Sequence, residues 1–344
     1  MSIIVALLIF SLIILFHELG HFLLAKRGGI GVTSFSLGMG PAIFKKQIGE
    51  TEYALRILPF GGSCAMIGED EASEEENAFN KKGAWTRISV VAAGPIFNFI
   101  LAFVGSVIMV ACIGIDKPVI METMEGYPAY EAGVRAGDEI ISMNGRRIGV
   151  YRDVSMYIQL HQGETVELVY ERDGERCESV IVPKMDEEGY YLMGITGGAY
   201  SKCSNPLELL KYGGKQVGYW IHMVFDSLRM MVSGKVNRED VGGPVRIVGM
   251  IGDTYEQSAQ EGAFTVFINM LNMVVFLSAN LGVMNLLPIP ALDGGRLVFL
   301  LIEAVTGKRV PPDKEGYIHL AGFAILMALM VMILFNDISI MFFK

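Results

Sequence analysis

Long apolar runs in this chain alternate with stretches whose apolar residues recur every second or every third to fourth position. Four runs are long enough to cross a bilayer as helices, which takes about 20 apolar residues. They extend from about Ile3 to Ala25, closed by Lys26-Arg27; from about Val90 to Ile115; from about Phe264 to Leu287; and from near Ile318 to between Phe335 and Phe343. Residues 31–70 alternate weakly, in Val32-Thr33-Ser34-Phe35-Ser36-Leu37 and again in Glu52-Tyr53-Ala54-Leu55-Arg56-Ile57. That pattern predicts short strands in a small sheet beside the first span. Gly61-Gly62 there marks backbone that bends or is closely approached. An edge of such a sheet could accept an extended peptide, and an ordinary cytoplasmic hairpin is an equal reading. The acidic run Glu69–Glu76 reads as a solvated linker.

From about Val119 to Pro183 the pattern is that of a small soluble domain. Ala132-Gly133-Val134-Arg135-Ala136-Gly137-Asp138-Glu139-Ile140-Ile141 and Met143-Asn144-Gly145 alternate apolar strand residues with glycine turns. A helical stretch follows over Arg152–Leu160, and Glu164–Tyr170 with Glu175–Val182 reads as a hairpin turned at Asp173-Gly174. Between Asn205 and Val232 apolar residues recur at helical spacing, with Tyr219, Trp220 and Phe225 among them. That helix could lie at the membrane interface or pack on the preceding domain. Asp240 through Ile247, with Gly242-Gly243-Pro244, breaks the pattern before the third span.

Composition fits this division: 52% hydrophobic residues and a mean hydropathy of +0.42 describe an integral membrane protein with a sizeable soluble part. A formal charge of −9 excludes a nucleic-acid partner as the working reading. Cys64, Cys112, Cys177 and Cys203 show no metal-ligand spacing; Cys177 and Cys203 could pair outside the cell, with free thiols favoured. The N-terminus lacks the basic region of a signal peptide. Residues 26–87 carry eight Lys or Arg, several against span ends, and Arg296, Lys308, Arg309 and Lys314 follow the third span. The positive-inside rule then runs the first and third spans inward and leaves both termini and the large segment 116–262 outside.

The first span carries Phe16-His17-Glu18-Leu19-Gly20-His21-Phe22, an HExxH motif. On a helix His17 and His21 share a face one turn apart. Two neutral imidazoles so placed can bind one Zn²⁺, and Glu18 can take a proton from water beside it. Chance matches to so short a motif occur, but ionisable groups inside an apolar span are functional-site candidates by default. The third span ends in Asn285-Leu286-Leu287-Pro288-Ile289-Pro290-Ala291-Leu292-Asp293-Gly294-Gly295. Asp293 falls at the same inner edge of the membrane and can be the third zinc ligand; alone, it would read as the cap of a short helix. Asn285 could donate to a substrate carbonyl or serve packing. Ala93-Gly94-Pro95-Ile96-Phe97-Asn98, early in the second span, allows close helix packing and a hydrogen bond from Asn98 across helices.

Taken together, the HExxH motif, Gly61-Gly62, Ala93-Gly94-Pro95 with Asn98, Gly243-Pro244-Val245 and Asn285 through Gly295 resemble the site-2 protease family of intramembrane zinc metalloproteases. The resemblance is closest to the bacterial RseP-like branch, which cleaves anti-sigma factors and carries an inserted PDZ domain; the soluble segment resembles such a domain, single here. It implies a polytopic α-helical membrane protein with a small membrane-associated β-sheet and an inserted α+β PDZ domain. The divisions expected are 1–115, with two spans and the β-region; 116–186, PDZ-like; 187–262, amphipathic and linking; and 263–344, with the last two spans. It implies Zn²⁺ held by His17, His21 and Asp293, Glu18 as the catalytic base, and Asn285 in substrate binding. The implied partners are single-span membrane proteins, membrane lipid and an upstream site-1-type protease. The implied location is the cytoplasmic membrane, with the active site near the cytoplasmic side. A membrane-anchored PDZ binding protein without catalysis is the alternative.

Overall fold

The computed structural model describes residues 2–69, 73–234, 242–310 and 312–343. The chain forms two compact units, one from residues 1–102 with 231–344 and the other from 103–230.

In the first unit the uncharged N-terminal run forms α1 (Ser2–Arg27), ended by Gly28-Gly29. β1 (Val32–Ile48) and β2 (Thr51–Met66) follow as one antiparallel hairpin. These strands are long, where the sequence predicts short ones. Gly38 and Gly40 interrupt the alternation, yet at φ +91° and +85° they are absorbed as register shifts, and pairing continues past them. Phe22 of α1 packs with Phe35 and Tyr53 of the hairpin, at ring separations of 5.1 and 6.0 Å. α2 (Ala84–Ile113) begins before the expected Val90, because Thr86, Arg87 and Ser89 hide its first turns from a hydropathy reading.

The second unit continues from the end of α2 through β3 (Ile115–Asp116), β4 (Ile120–Thr123), α3 (Pro128–Glu131), β5 (Glu139–Met143), β6 (Arg146–Arg147) and α4 (Tyr151–Leu160). It goes on through β7 (Val166–Arg172), β8 (Glu175–Ile181), β9 (Lys184–Met185), β10 (Tyr191–Leu192), β11 (Ile195–Gly197) and β12 (Tyr200–Ser201). Its main sheet has the order β6-β5-β7-β8. Asn144 and Asp173, at φ +47° and +52°, each precede a glycine in the left-handed region and turn the two hairpins. The core gathers Ile120, Ile140, Met143, Val154, Leu168 and Met193, all at most 1% exposed. The folded unit runs past residue 186: β11 pairs with β4, and β12 with β3. α5 (Pro206–Val232) buries Tyr212, Val217, Trp220 and Val224. It is tied to the domain by Arg152–Gln216 at 2.7 Å and Arg146–Asp226 at 2.6 Å, so it packs on the domain. All four cysteines are free.

The chain returns to the first unit as α6 (Pro244–Glu261), a helix within the stretch expected to link. Its start is Pro244 at the first helical position after Gly243, and Ile247, Val248 and Ile251 give it an apolar stripe. Asp240 and Val241 lie outside the described residues. α7 (Ala263–Leu286), α8 (Asp293–Thr306) and α9 (Pro312–Phe343) complete the unit. Ala6, Ile9 and Ile13 of α1 pack with Leu101, Ile251, Val274 and Leu277. α9 leaves most of its apolar side chains exposed. Its Asp337 is buried and accepts the main-chain N–H groups of Gly243 (2.9 Å) and Arg246 (3.2 Å), so a carboxylate from the last helix caps α6. Among the described residues four helices, α1, α2, α7 and α9, are long and apolar enough to cross a membrane.

Candidate metal centre

α1 brings His17 and His21 to one face, and α2 crosses it there. A Cβ on Gly20 would stand 2.4 Å from the Ala93 carbonyl oxygen, and a Cβ on Gly94 would stand 2.3 Å from His21 Nε2 and 2.7 Å from His17 Cε1. Real contacts of that kind do not exist, so the two helices approach this closely only because both positions are glycine. Ala93 and Gly94 allow close helix packing as expected, and Gly94 also walls the imidazoles.

Asp293 arrives from the other side as the first residue of α8, with Leu292 at the cap position. The turn from Leu287 to Leu292 folds back on this start. A Cβ on Gly294 would stand 2.1 Å from the Leu287 oxygen and one on Gly295 2.4 Å from that of Ile289, which is why the aspartate is followed by two glycines. Two ion pairs fix α8, Arg87–Glu303 to α2 and Arg296–Glu69 to the end of the β-hairpin. Glu69 is thus not part of a solvated linker; Asp70, Glu71 and Ala72 of that run lie outside the described residues, and Glu74 pairs with Lys81 at 2.6 Å.

His17 Nε2, His21 Nε2 and Asp293 Oδ2 converge. Their separations are 3.3 Å between the two nitrogens, 3.2 Å from His17 to Asp293 and 3.5 Å from His21 to Asp293. Zinc bonds of about 2.0–2.1 Å at the tetrahedral angle place ligand atoms about 3.3 Å apart. The outer nitrogens are committed elsewhere. His21 Nδ1–H donates to the Val90 carbonyl at 2.9 Å, in the turn before Pro95. His17 Nδ1 lies 3.1 Å from the carboxamide of the fully buried Asn98. As placed, Asn98 Nδ2 faces His17 Nδ1 and Asn98 Oδ1 is buried without a partner; exchanging the two ends of the carboxamide lets Oδ1 accept the proton of His17 Nδ1 and leaves Nε2 unprotonated toward the cluster. Both Nε2 atoms then present lone pairs to a carboxylate oxygen that is buried and receives no hydrogen bond. Three lone pairs facing one point fit a cation. Among the described residues this is the cluster of three or more such groups able to hold a metal.

Glu18, next to His17 on α1, lies beside the cluster. Gly62 of β2 packs on its side chain: a Cβ there would stand 2.9 Å from Glu18 Cγ. Asn285 sits half-buried in the last turn of α7 and makes no hydrogen bond to His17, Glu18, His21 or Asp293. In sequence Asn98 reads only as a generic polar contact, and no local spacing marks Arg87 and Glu303 as a pair. The signal for the latter pair is a cation and an acid each set in an apolar stretch, where either alone would be costly.

The sequence signature of Peptidase family M50 matches residues 5–329. A protein of Clostridium acetobutylicum named as a zinc metalloprotease is 40% identical over 338 residues, covering 98% of this chain and 97% of its own. The regulator of sigma-W protease RasP of Bacillus subtilis is 29% identical over 425 residues, covering 99% of each. Of solved structures, the PDZ domain of an SdrC-like protein of Listeria monocytogenes is 26% identical, covers 24% of this chain and 87% of its own, and has a TM-score of 0.22.

Proposed function

The chain belongs to peptidase family M50, the site-2 protease family, and is a zinc metalloprotease; from that premise we propose that it hydrolyses peptide bonds in or near the transmembrane segments of single-span membrane proteins. The observation that carries this is the meeting of three lone pairs, from His17, His21 and Asp293, beside one further carboxylate, Glu18, in a helix long and apolar enough to cross a membrane.

In this reading His17, His21 and Asp293 hold the zinc, which supplies Lewis acidity to polarise a carbonyl and acidify a water. Val90 and Asn98 keep the two histidines in the tautomer that exposes Nε2. Glu18 accepts the water proton on its carboxylate and returns it to the leaving nitrogen. The substrate segment is extended rather than helical at the scissile bond, because a helical amide is hydrogen-bonded and shielded. It pairs with an edge of the β1–β2 hairpin, whose Gly62 lies against Glu18, and Asn285 holds its main chain. The soluble unit binds or screens substrates as a PDZ domain. The protein works in the cytoplasmic membrane with this centre toward the cytoplasm. Anti-sigma factors and signal-peptide remnants are the substrate classes, and an upstream protease trims them first; the Bacillus subtilis relative is named for regulating sigma-W.

The test compares the native chain with Glu18→Gln in nanodiscs on a trimmed single-span substrate, with zinc measured on both. The expected result is one zinc in each and cleavage by the native chain alone, a loss of about 10²–10⁴-fold. Cleavage by Glu18→Gln at the native rate removes Glu18 as the base; zinc in neither sample removes the ligand set; zinc in both with no cleavage favours a non-catalytic binding protein.

A further inference from the structure

The turn that delivers Asp293 is not self-sufficient. Ile289 N–H donates to Leu287 and Leu292 N–H to Ile289, at 2.7 and 3.1 Å, but the Ala291 N–H finds no acceptor within the turn. Ala291 itself sits at φ +77°, a region that residues with a Cβ seldom enter. A conformation of that kind persists only when its surroundings hold it.

The holder comes from α9. His319 Nδ1 accepts the Ala291 N–H at 2.9 Å. Three residues on, Gly322 lies against Pro290: a Cβ there would stand 2.4 Å from Pro290 Cβ and 2.7 Å from its oxygen. The imidazole packs near Phe299 of α8, with ring centres 5.8 Å apart. An imidazole that accepts at Nδ1 carries its proton on Nε2. Glu315 Oε1, one turn earlier on the same helix, lies 3.9 Å from that nitrogen and favours this tautomer. Bare backbone at Gly322 and an acceptor at His319 thus grip two consecutive residues, Pro290 and Ala291, with only Leu292 between them and the aspartate. His319 also lines a cavity of about 470 Å³ that it shares with Asp293 and Arg296.

We infer that His319 is a positioning residue of the metal centre: by fixing the Ala291 peptide it sets where the Asp293 carboxylate meets His17 and His21. The inference rests on the reading of those three as zinc ligands. Its effect is exerted on the ligand geometry, so it belongs in zinc affinity and turnover rather than in substrate capture.

The test uses the full chain in nanodiscs with His319→Leu, His319→Asn and His319→Gln. Zinc affinity is read by chelator competition, and kcat and KM on a trimmed single-span substrate. Asparagine places an oxygen near the position of Nδ1; glutamine places its polar atoms one bond farther out. Leucine is expected to weaken zinc binding and lower kcat by about tenfold, the lower end for partners of metal ligands, with KM unchanged. Asparagine restores both values toward native, and glutamine does not. Native zinc affinity and kcat in the leucine variant overturn the inference, as do equal losses in the asparagine and leucine variants, which would make the imidazole a packing group. If the leucine variant does not accumulate, the asparagine–glutamine comparison decides. Absence of zinc from the native chain itself would instead overturn the ligand reading, and this inference with it.

Discussion

The two units of this chain are held by different means. In the unit of residues 103–230, apolar side chains from β4, β5, α4, β7, β8 and the segment around Met193 close on one core, and charged pairs such as Asp116–Arg152 and Asp138–Arg172 join its elements. The other unit has apolar clusters and ion pairs of its own, but the contacts that shape its metal centre and helix ends are polar groups reaching another element's main chain and glycines where elements meet. Val90 receives His21, Asp337 receives Gly243 and Arg246, and Gly20, Gly62, Gly94 and Gly322 mark close approaches. Lipid is as apolar as a leucine side chain, so helices within it gain little from burying one another's apolar surface. What remains is close packing and hydrogen bonding, and those specify position more sharply than they supply stability. Function should therefore be fragile at small residues in one unit, while stability should be fragile at large ones in the other.

The largest expected effect tests the first half of that contrast. Gly94→Ala drives a methyl into both imidazoles and should weaken zinc binding by at least about 100-fold, read by metal analysis of the purified chain. The matching change in the other unit, Gly218→Ala, meets open space on α5 and should instead raise stability by about 0.5–1 kcal/mol with zinc content intact. Native zinc binding by Gly94→Ala would mean that α1 and α2 can part without cost, and the contrast would lose its basis.

Next comes Arg87→Met. Its side chain is 4% exposed and neutralises the half-buried Glu303, so the change leaves that carboxylate without its cation on the helix that carries Asp293. A loss of about 3–5 kcal/mol is expected in thermal or denaturant unfolding, and replacing Glu303 by Gln in the same chain should recover part of it. If the double replacement is no better than the single one, the pair is not what holds α8.

How much of this was legible in the residues depended on range. His17, Glu18 and His21 lie within one turn, so helical spacing alone joined them. Asp293 lies 276 residues beyond His17 in sequence; only the break at Pro288 and Pro290, placed by span counting at the same depth, connected it. The long β-hairpin was underestimated because its glycines look like strand ends and act as bulges. α6 was missed because Gly242-Gly243-Pro244 reads as a break, although proline at a first helical position also starts one. The pairings Arg87–Glu303, Asn98–His17 and His319–Ala291 are not legible from local spacing; for the first, only the presence of a cation and an acid in apolar stretches is. The same reason explains why the end of the soluble domain was set too early: the strands of residues 195–201 pair with strands that precede the domain's main sheet.

Leu168→Ala addresses the second half of the contrast. The side chain is fully buried at the centre of the β5–β7–β8 sheet. Removing it should cost about 2–5 kcal/mol, visible as a lower unfolding midpoint of the soluble unit, while zinc stays bound. Loss of zinc at temperatures where this unit is still folded would show that the two halves are not separable in the way their construction suggests.

The smallest expected effect concerns charge in the soluble unit. Lys117 and Glu208 pair at 2.7 Å, and the Ser204 N–H also donates to the Glu208 carboxylate. The lysine, then the Ser204 N–H, hold that carboxylate below its ordinary 4.5. The same bond to Glu208 holds Lys117 above its ordinary 10.5. A carboxylate with a depressed value in the folded state stabilises it above its unfolded value, and that contribution is lost as pH falls through the folded value. A raised lysine does the reverse, contributing below its unfolded value and losing the contribution as pH rises through the folded one. The contribution of this pair should thus be flat from about pH 5 to about pH 10 and decline on either side. Unfolding midpoints of the native chain and Glu208→Gln, followed across that range, should run parallel in the middle and converge at both ends. Because the lysine of this part-buried pair is still about a third exposed, 0.15 M salt should already narrow the gap. A gap that is wide and insensitive to salt would place this pair among the groups that define geometry, and the contrast between the two units would then rest on where the charges lie rather than on what they do.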